Sequence, residues 1–518
     1  MAQGSVTDKQ AQRAIANYPV HLRNPARFPR SGLERSPLLA LIALTLVAGG
    51  LRAATIEAQS FWDDELFTVW LVRLDFGEMV RAWWDSEATP PVYYVVTWLW
   101  SQVFGSGETG LRSLSVLAGT AAVPLVYLVG SRFASARSGL AAATLVALNP
   151  FLVWYGAEAR SYAFVVPEVA LGLLLFLTAL TTPSRRNLVW WALASALALA
   201  THYFTVFMVA PQAAWLLLAV PHERRRAVLA AIAAPVVVGA ALLPILLHTE
   251  AVDPDPGGFA GTPLAARTAG VPKTFLVGYQ LPAELLLSML SALLALVLAA
   301  VVLLRTGGAE RRTAVVCAAL GAASAGVPLL LALGGLDYLS SRNVIAALIP
   351  LLVVAGIGVA ATRAGLAAGL ALCAIWLVVV GGVGVDPRYQ RKDWRGAERA
   401  LGPVVEDRVL VFSPEFVNPE PFRAYFRRGE LMGSPIATRE IAVLALASVG
   451  RFTTGTPSPP RKPVVSPPSG FRLVERREAD TYTLVRFRAP RPLVVTRESA
   501  GRLAFKAEGH AVVTQRSG

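Results

Sequence analysis

Charge is scarce in this 518-residue chain: 16% of residues are Asp, Glu, Lys or Arg, against about 25% in a typical soluble protein. Lysine is nearly missing, with 5 copies beside 43 arginines. Cysteine occurs twice, as Cys317 and Cys373, each inside an apolar run. Two such residues exclude a disulfide scaffold and carry no metal or redox spacing, so both read as small core residues. There is no P-loop and no soluble nucleotide-binding half. No short apolar run with a small-residue cleavage site opens the chain, which predicts a retained first span. What is abundant is apolar: 54% of residues are hydrophobic and the mean hydropathy is +0.52. That rules out disorder over most of the chain and reads as an integral membrane protein.

A helix needs about 20 apolar residues to cross a bilayer. Runs of that kind cover 37–56, 111–130, 138–156, 161–181, 227–247, 284–304, 313–334, 344–361 and 364–385. The 33 apolar residues at 188–220 would make a helix about 50 Å long, too long for a core of about 30 Å. Two short spans turning near His202 and Tyr203 fit better. The segment Val92–Phe104 is short and rich in Tyr and Trp, which suits an interfacial helix. This predicts an all-α polytopic fold of about 11 transmembrane helices, N-terminus inside and C-terminus outside.

The charges agree with that parity. Inside lie Arg132, Arg137, Arg185, Arg186, Arg224 to Arg226, Arg305, Arg311, Arg312 and Arg363, as the positive-inside bias expects. Residues 1–36 read as a cytoplasmic tail and 37–385 as the transmembrane domain. Residues 386–518 read as a small α/β extracytoplasmic appendage, with a helix at 394–402, strands at 408–412 and within 471–490, and a Pro-rich linker at 456–470. This appendage carries +9 of the formal net charge of +14. On the outer face it would meet lipid phosphates or an anionic glycan, not nucleic acid.

Polar chemistry then collects at the outer face. The loop 57–110 carries FWDDELFTVW and WWDSEATPPVYY, and six of the twelve tryptophans fall between Trp62 and Trp100. Asp63, Asp64 and Glu65 are acids set among aromatics that lower local solvation and raise a carboxylate's basicity. Asp85 adds a further acid. Glu158, Arg160 and Tyr162 follow the third span, His202–Tyr203 break the next stretch, and Arg342 lies in DYLSSRN. Arg suits bidentate phosphate recognition. Each group also has a plainer reading: a solvated loop, a snorkelling pair, a helix-end histidine, interfacial tyrosines. Their convergence on one face favours a site.

In order, FWDDEL, TPPVYY, FGSGETGLRSLS, NPFLVWYGAEARSYA and THYF resemble the bacterial glycosyltransferases of family 39, relatives of the protein O-mannosyltransferases and of the aminoarabinose lipid A transferase. The resemblance covers about residues 40–220, with fainter echoes at Ser341–Pro350 and in KDWRGAERAL. It implies the membrane fold called GT-C, a polyprenyl-phosphate sugar as donor, and an acid in the first outer loop that activates the acceptor. The family's Asp-Glu pair falls on Asp64–Glu65, with Asp63 an additional acid. Its proline pair falls on Pro90 and Pro91, followed by Tyr93 and Tyr94, and its Glu-x-Arg-x-Tyr stretch on Glu158, Arg160 and Tyr162. Family members often have His before the prolines, where this chain has Thr89.

Residues and resemblance lead to one expected reaction: sugar transfer from a polyprenyl-phosphate carrier to a hydroxyl on a lipid, glycan or protein. A lipid phosphate leaves readily, so one base and nearby cations suffice. Asp64 is the expected base, with Glu65 or Asp63 orienting it or holding a divalent ion such as Mg or Mn. Arg160 and Arg342 are the expected phosphate cations. The competing reading is a transporter or flippase of a lipid-linked substrate, which would call for charges inside the spans.

Overall fold

The computed structural model describes residues 35–86, 89–252, 262–413, 424–426, 429–447, 468–505 and 510–517. The chain before residue 35 and residues 456–467 of the Pro-rich stretch lie outside the described residues.

Helices dominate up to residue 385. They are α1 (Arg35–Thr55), α2 (Asp63–Arg73), α3 (Phe76–Ser86), α4 (Pro91–Phe104), α5 (Glu108–Phe133), α6 (Ala136–Leu148), α7 (Pro150–Gly156), α8 (Tyr162–Thr181) and α9 (Arg185–Thr201). After a 3₁₀ turn at Tyr203–Thr205 follow α10 (Val206–Ala219), α11 (Arg225–Val252), α12 (Leu264–Val277), α13 (Glu284–Arg305), α14 (Gly308–Leu333), α15 (Leu348–Ala361) and α16 (Arg363–Val385). Among the described residues, seven helices are long and apolar enough to cross a membrane, or eight if one bent pair counts as a single span. Length and apolarity therefore support fewer spans than the eleven expected.

The difference has local causes. The run 138–156 is not one continuous span: it bends by 60° between α6 and α7. Pro150 lacks the N–H that would continue α6. Asn149 instead caps α7, accepting from Leu152 N–H at 3.1 Å and donating Nδ2 to the Phe275 carbonyl at 2.9 Å. The stretch 188–220 does break at His202, into α9 and a short apolar helix over Tyr203–Ala219. The apolar helix over Ile345–Ala361 is also short.

The bundle packs around a core that includes Trp191, Phe176, Phe151, Leu352 and Trp376. A basic side chain lies inside it. Arg52, in the last turn of α1 and fully buried, donates to the carbonyls of Ala48 at 3.1 Å, Ala147 at 3.2 Å and Val146 at 3.2 Å. The latter two are orphan carbonyls at the end of α6, so the guanidinium serves as a cap in trans. Gly156 makes room for it: a Cβ there would stand 2.6 Å from Arg52 Nε.

After residue 385 the chain forms α17 (Trp394–Leu401), α18 (Arg497–Gly501) and a six-stranded sheet. Its strands are β1 (Arg408–Ser413), β2 (Gly429–Leu431), β3 (Ile436–Leu446), β4 (Arg472–Glu478), β5 (Tyr482–Val495) and β6 (Ala511–Gln515), in the order β2-β6-β1-β3-β5-β4. Among the described residues, only β1 and β3 pair in parallel. Strand alternation sends Leu410 and Phe412 to one face and Val409 and Val411 to the other. The first face packs on Trp394, Ala397 and Leu401 of α17, and beyond them on Phe61, Leu66 and Val69. The sheet is thereby docked on the helix that carries the acidic run.

Candidate functional site

The acidic run is the first turn of α2, where the helix dipole favours negative charge. Three consecutive carboxylates there point in three directions. Asp63 faces outward, about half exposed, and pairs with Lys392 Nζ at 2.8 Å. Asp64 reaches across to Arg342 Nη1, 2.6 Å from its Oδ2, with its side chain 22% exposed. Glu65 turns into the protein and is 1% exposed.

Glu65 is saturated. Its Oε1 accepts from Arg112 Nε at 2.7 Å and Ala159 N–H at 2.8 Å; its Oε2 accepts from Arg112 Nη2 at 2.6 Å and Trp62 N–H at 3.2 Å. Arg112 also donates to the carbonyls of Ile56, Gln59 and Ser60. This pair ties the loop before α2 to α5 and to the segment around residue 159. With both oxygens occupied, Glu65 has nothing to offer a divalent ion. Among the described residues no three His, Cys, Asp or Glu side chains come together as a metal site.

Pro90 and Pro91 open α4, where a proline in the first turn costs no helix bond. They set Tyr93 and Tyr94 facing inward, both buried. Arg160 gathers this segment: its Nη1 donates to Tyr94 Oη at 2.7 Å and to the Asp64 carbonyl at 3.3 Å, and its Nη2 to Thr89 Oγ1 at 3.4 Å. Thr89 thus takes a hydrogen-bond partner of its own. Tyr162 lies between Arg342, 6.0 Å from its ring centroid, and His202, ring to ring 5.1 Å. His202 Nδ1 accepts from Phe204 N–H at 3.3 Å, and burial, with Arg160 and Arg342 nearby, pushes its pKa down to about 3. It is a neutral helix-end group here.

Two expected residues stand apart. Asp85 is exposed on α3, with no hydrogen bond or ion pair among the described residues. Tyr203 packs with the apolar cluster of Tyr93, Trp83 and Leu242.

The structure adds residues that the motifs missed. Glu158 Oε2 accepts from Trp154 Nε1 at 3.0 Å and from Arg391 Nη2 at 2.9 Å. Burial raises the Glu158 carboxyl pKa, against the opposing pull of Arg391. Arg391 comes from the strap after the last long helix, just before the echo at 392–401, which was the available signal. Arg112 sits in the motif FGSGETGLRSLS, but nothing in its spacing marks it as the partner of Glu65. The glycines of that motif, Gly105, Gly107 and Gly110, have the spacing of a dinucleotide-binding turn, yet they join two helices, α4 and α5, with no strand before them.

Four guanidinium groups (Arg112, Arg160, Arg342 and Arg391) therefore gather with three carboxylates (Asp64, Glu65 and Glu158). The Arg side chains are all 10% exposed or less. Chemically, the place offers one partly exposed carboxylate beside cations that can take an anion.

No curated protein matches the chain in sequence. Among solved structures, the fold is similar to that of ArnT from Cupriavidus metallidurans bound to undecaprenyl phosphate, at 11% identity and a TM-score of 0.48, covering 88% of this chain and 98% of that one. It is also similar to the oligosaccharyltransferase AglB from Archaeoglobus fulgidus in complex with an inhibitory peptide and a dolichol-phosphate. There the identity is 15% and the TM-score 0.39, with 71% of this chain and 58% of that one covered. Residues 88–248, a stretch that holds the proline pair, Arg112, Glu158, Arg160 and His202, match the family of dolichyl-phosphate-mannose-protein mannosyltransferases.

Proposed function

We propose that this protein is a membrane glycosyltransferase that moves a sugar from a polyprenyl-phosphate carrier to a hydroxyl acceptor. The observation that carries the reading is the Asp64–Arg342 pair, a partly exposed carboxylate 2.6 Å from a buried guanidinium, within a cluster that also holds Arg112, Arg160 and Arg391. The family match over residues 88–248 supports the reaction class.

Asp64 takes the proton of the incoming hydroxyl as its oxygen attacks the anomeric carbon. The bond from that carbon to the phosphate oxygen breaks, and its electron pair leaves with the lipid phosphate. Arg342, released from Asp64, and Arg160 stabilise the charge that develops there. A single base with no second nucleophile predicts inversion at the anomeric carbon. The excess of arginine in the loops read as inside supports a site on the extracytoplasmic face, with the N-terminus inside. Residues 386–518 then form an extracytoplasmic domain. Asp63, paired with Lys392, and Glu65, paired with Arg112, position the turn that carries Asp64. Glu65 is filled by donors from Arg112, Ala159 and Trp62 and acts by holding the turn.

The test is incubation of the purified protein with a panel of polyprenyl-phosphate sugars and lipid, glycan and protein acceptors, following transfer by mass spectrometry. Asp64→Asn should lose about 10²–10⁴-fold in turnover, the usual contribution of a general base, while remaining folded. Full turnover by that variant would remove Asp64 from the mechanism. A product of retained configuration would remove the single-displacement step.

A further inference from the structure

We infer that Arg391 is a positioning residue for the transfer reaction: from the strap behind α16, it holds the turn bearing Trp62 and Asp64 in place. The inference rests on the glycosyl-transfer reading above. Its geometry is independent of the motifs that led there.

After α16 the chain turns through Pro387–Tyr389 and runs back under the acidic turn. Arg391 is 8% exposed. Its guanidinium carbon lies 3.8 Å from the Trp62 ring centroid, 4.9 Å from that of Trp154 and 5.8 Å from that of Tyr279. Its Nη2 is 2.9 Å from Glu158 Oε2. One planar cation is thus held among three rings and one carboxylate, an arrangement that suits Arg and that Lys cannot reproduce.

The strap engages the turn at further points. Arg391 N–H donates to Gln59 Oε1 at 3.1 Å, Lys392 Nζ meets Asp63 at 2.8 Å, and Arg395 N–H donates to Ser60 Oγ at 3.2 Å. Residues 59–63 are therefore gripped from the C-terminal side, while Glu65 is anchored by Arg112 from the other. Trp62 is the N-cap of α2 and is separated from Asp64 by a single residue. A shift of the Trp62 ring is a shift of the base. Arg391 contacts Asp64 in none of these interactions, so its action is indirect.

The decisive variant is Arg391→Lys, which keeps the positive charge facing Glu158 and loses the stacked plane. Turnover per folded molecule should fall about 10–100-fold, the scale of a misplacement of about 1 Å. The KM for the donor should stay unchanged, because Arg160 and Arg342 are intact. A second readout needs no activity: hydrogen exchange of the peptide covering 59–66 should quicken in Arg391→Lys while that of α5 stays as in the wild type. Wild-type turnover together with wild-type exchange at 59–66 would overturn the inference. So would a raised donor KM at unchanged turnover, which would make Arg391 a donor ligand. Wild-type protein that transfers no sugar to any acceptor would instead overturn the transfer reading, and the exchange experiment would still decide whether Arg391 holds the turn.

Discussion

Replacing Glu65 by Gln preserves the shape of the side chain and removes its charge, in a place where neither partner reaches solvent. Both side chains of the Glu65–Arg112 pair are 1% exposed and their closest atoms are 2.6 Å apart. Removing one member of such a pair leaves the other charge buried and uncompensated, at a cost of about 3–5 kcal/mol. Solvent screening gives no discount here. Gln also offers an NH₂ where Glu65 has an oxygen accepting from Arg112, so a hydrogen bond is replaced by two donors facing each other. Arg112 would still be held by three backbone carbonyls, which places the loss toward the lower end of that range. The assay is unfolding of the purified variant in lipid nanodiscs, set beside Asp64→Asn measured in the same way. Glu65→Gln should lower stability by about 3 kcal/mol, whereas Asp64→Asn should cost less, because Asp64 is partly exposed and solvent screens its pair with Arg342. The double variant Glu65→Gln/Arg112→Gln should recover part of the loss, because no charge is left unpaired. A Glu65→Gln protein as stable as the wild type but inactive would refute this division of roles and make Glu65 the base.

Other sites give separate checks. Arg342→Gln removes a charge-assisted contact of about 1.5–3 kcal/mol, so the donor KM should rise by about one to two orders of magnitude; an unchanged donor KM in steady-state transfer would exclude Arg342 as a phosphate ligand. Gly156→Ala drives a Cβ to 2.6 Å from Arg52 Nε and should destabilise by about 1–3 kcal/mol, as overpacking does; a wild-type thermal midpoint would contradict the close packing. The Asp337 carboxyl is held below its usual pKa, chiefly by the hydrogen bond from Arg267. A lowered folded pKa means that the pair stabilises the protein above the unfolded value of about 3.9 and that this stability is lost as pH falls below it. The gap in thermal midpoint between wild type and Asp337→Asn should therefore close toward acid, and a gap that stays constant down to pH 2.5 would rule the linkage out.

Much of the architecture was legible because the bilayer demands long apolar runs, and such runs are visible in one dimension. The edges of α5, α8, α13 and α16 fall within a few residues of the apolar stretches that announced them. The bend at Asn149–Pro150 escaped because both sides of it are apolar, and hydropathy does not register a missing N–H. The strands β2, β3 and β6 also escaped. The segment IATREIAVLAL contains more helix formers than strand formers, and it becomes β3 only because β1 and β5 flank it.

By itself, the sequence determined that this is a membrane chain, that acids and arginines gather near a few loops, and which family the motifs resemble. Asp63, Asp64 and Glu65 are adjacent and chemically alike, so composition and spacing assign all three the same promise. Only the tertiary structure separated them. Successive residues on a helix point about 100° apart, so one turn of α2 sends Asp63 outward to Lys392, Asp64 across to Arg342, and Glu65 inward to Arg112. Arg391 became part of the site in the same way: it stands hundreds of residues from Trp62 in sequence, and folding sets the two 3.8 Å apart.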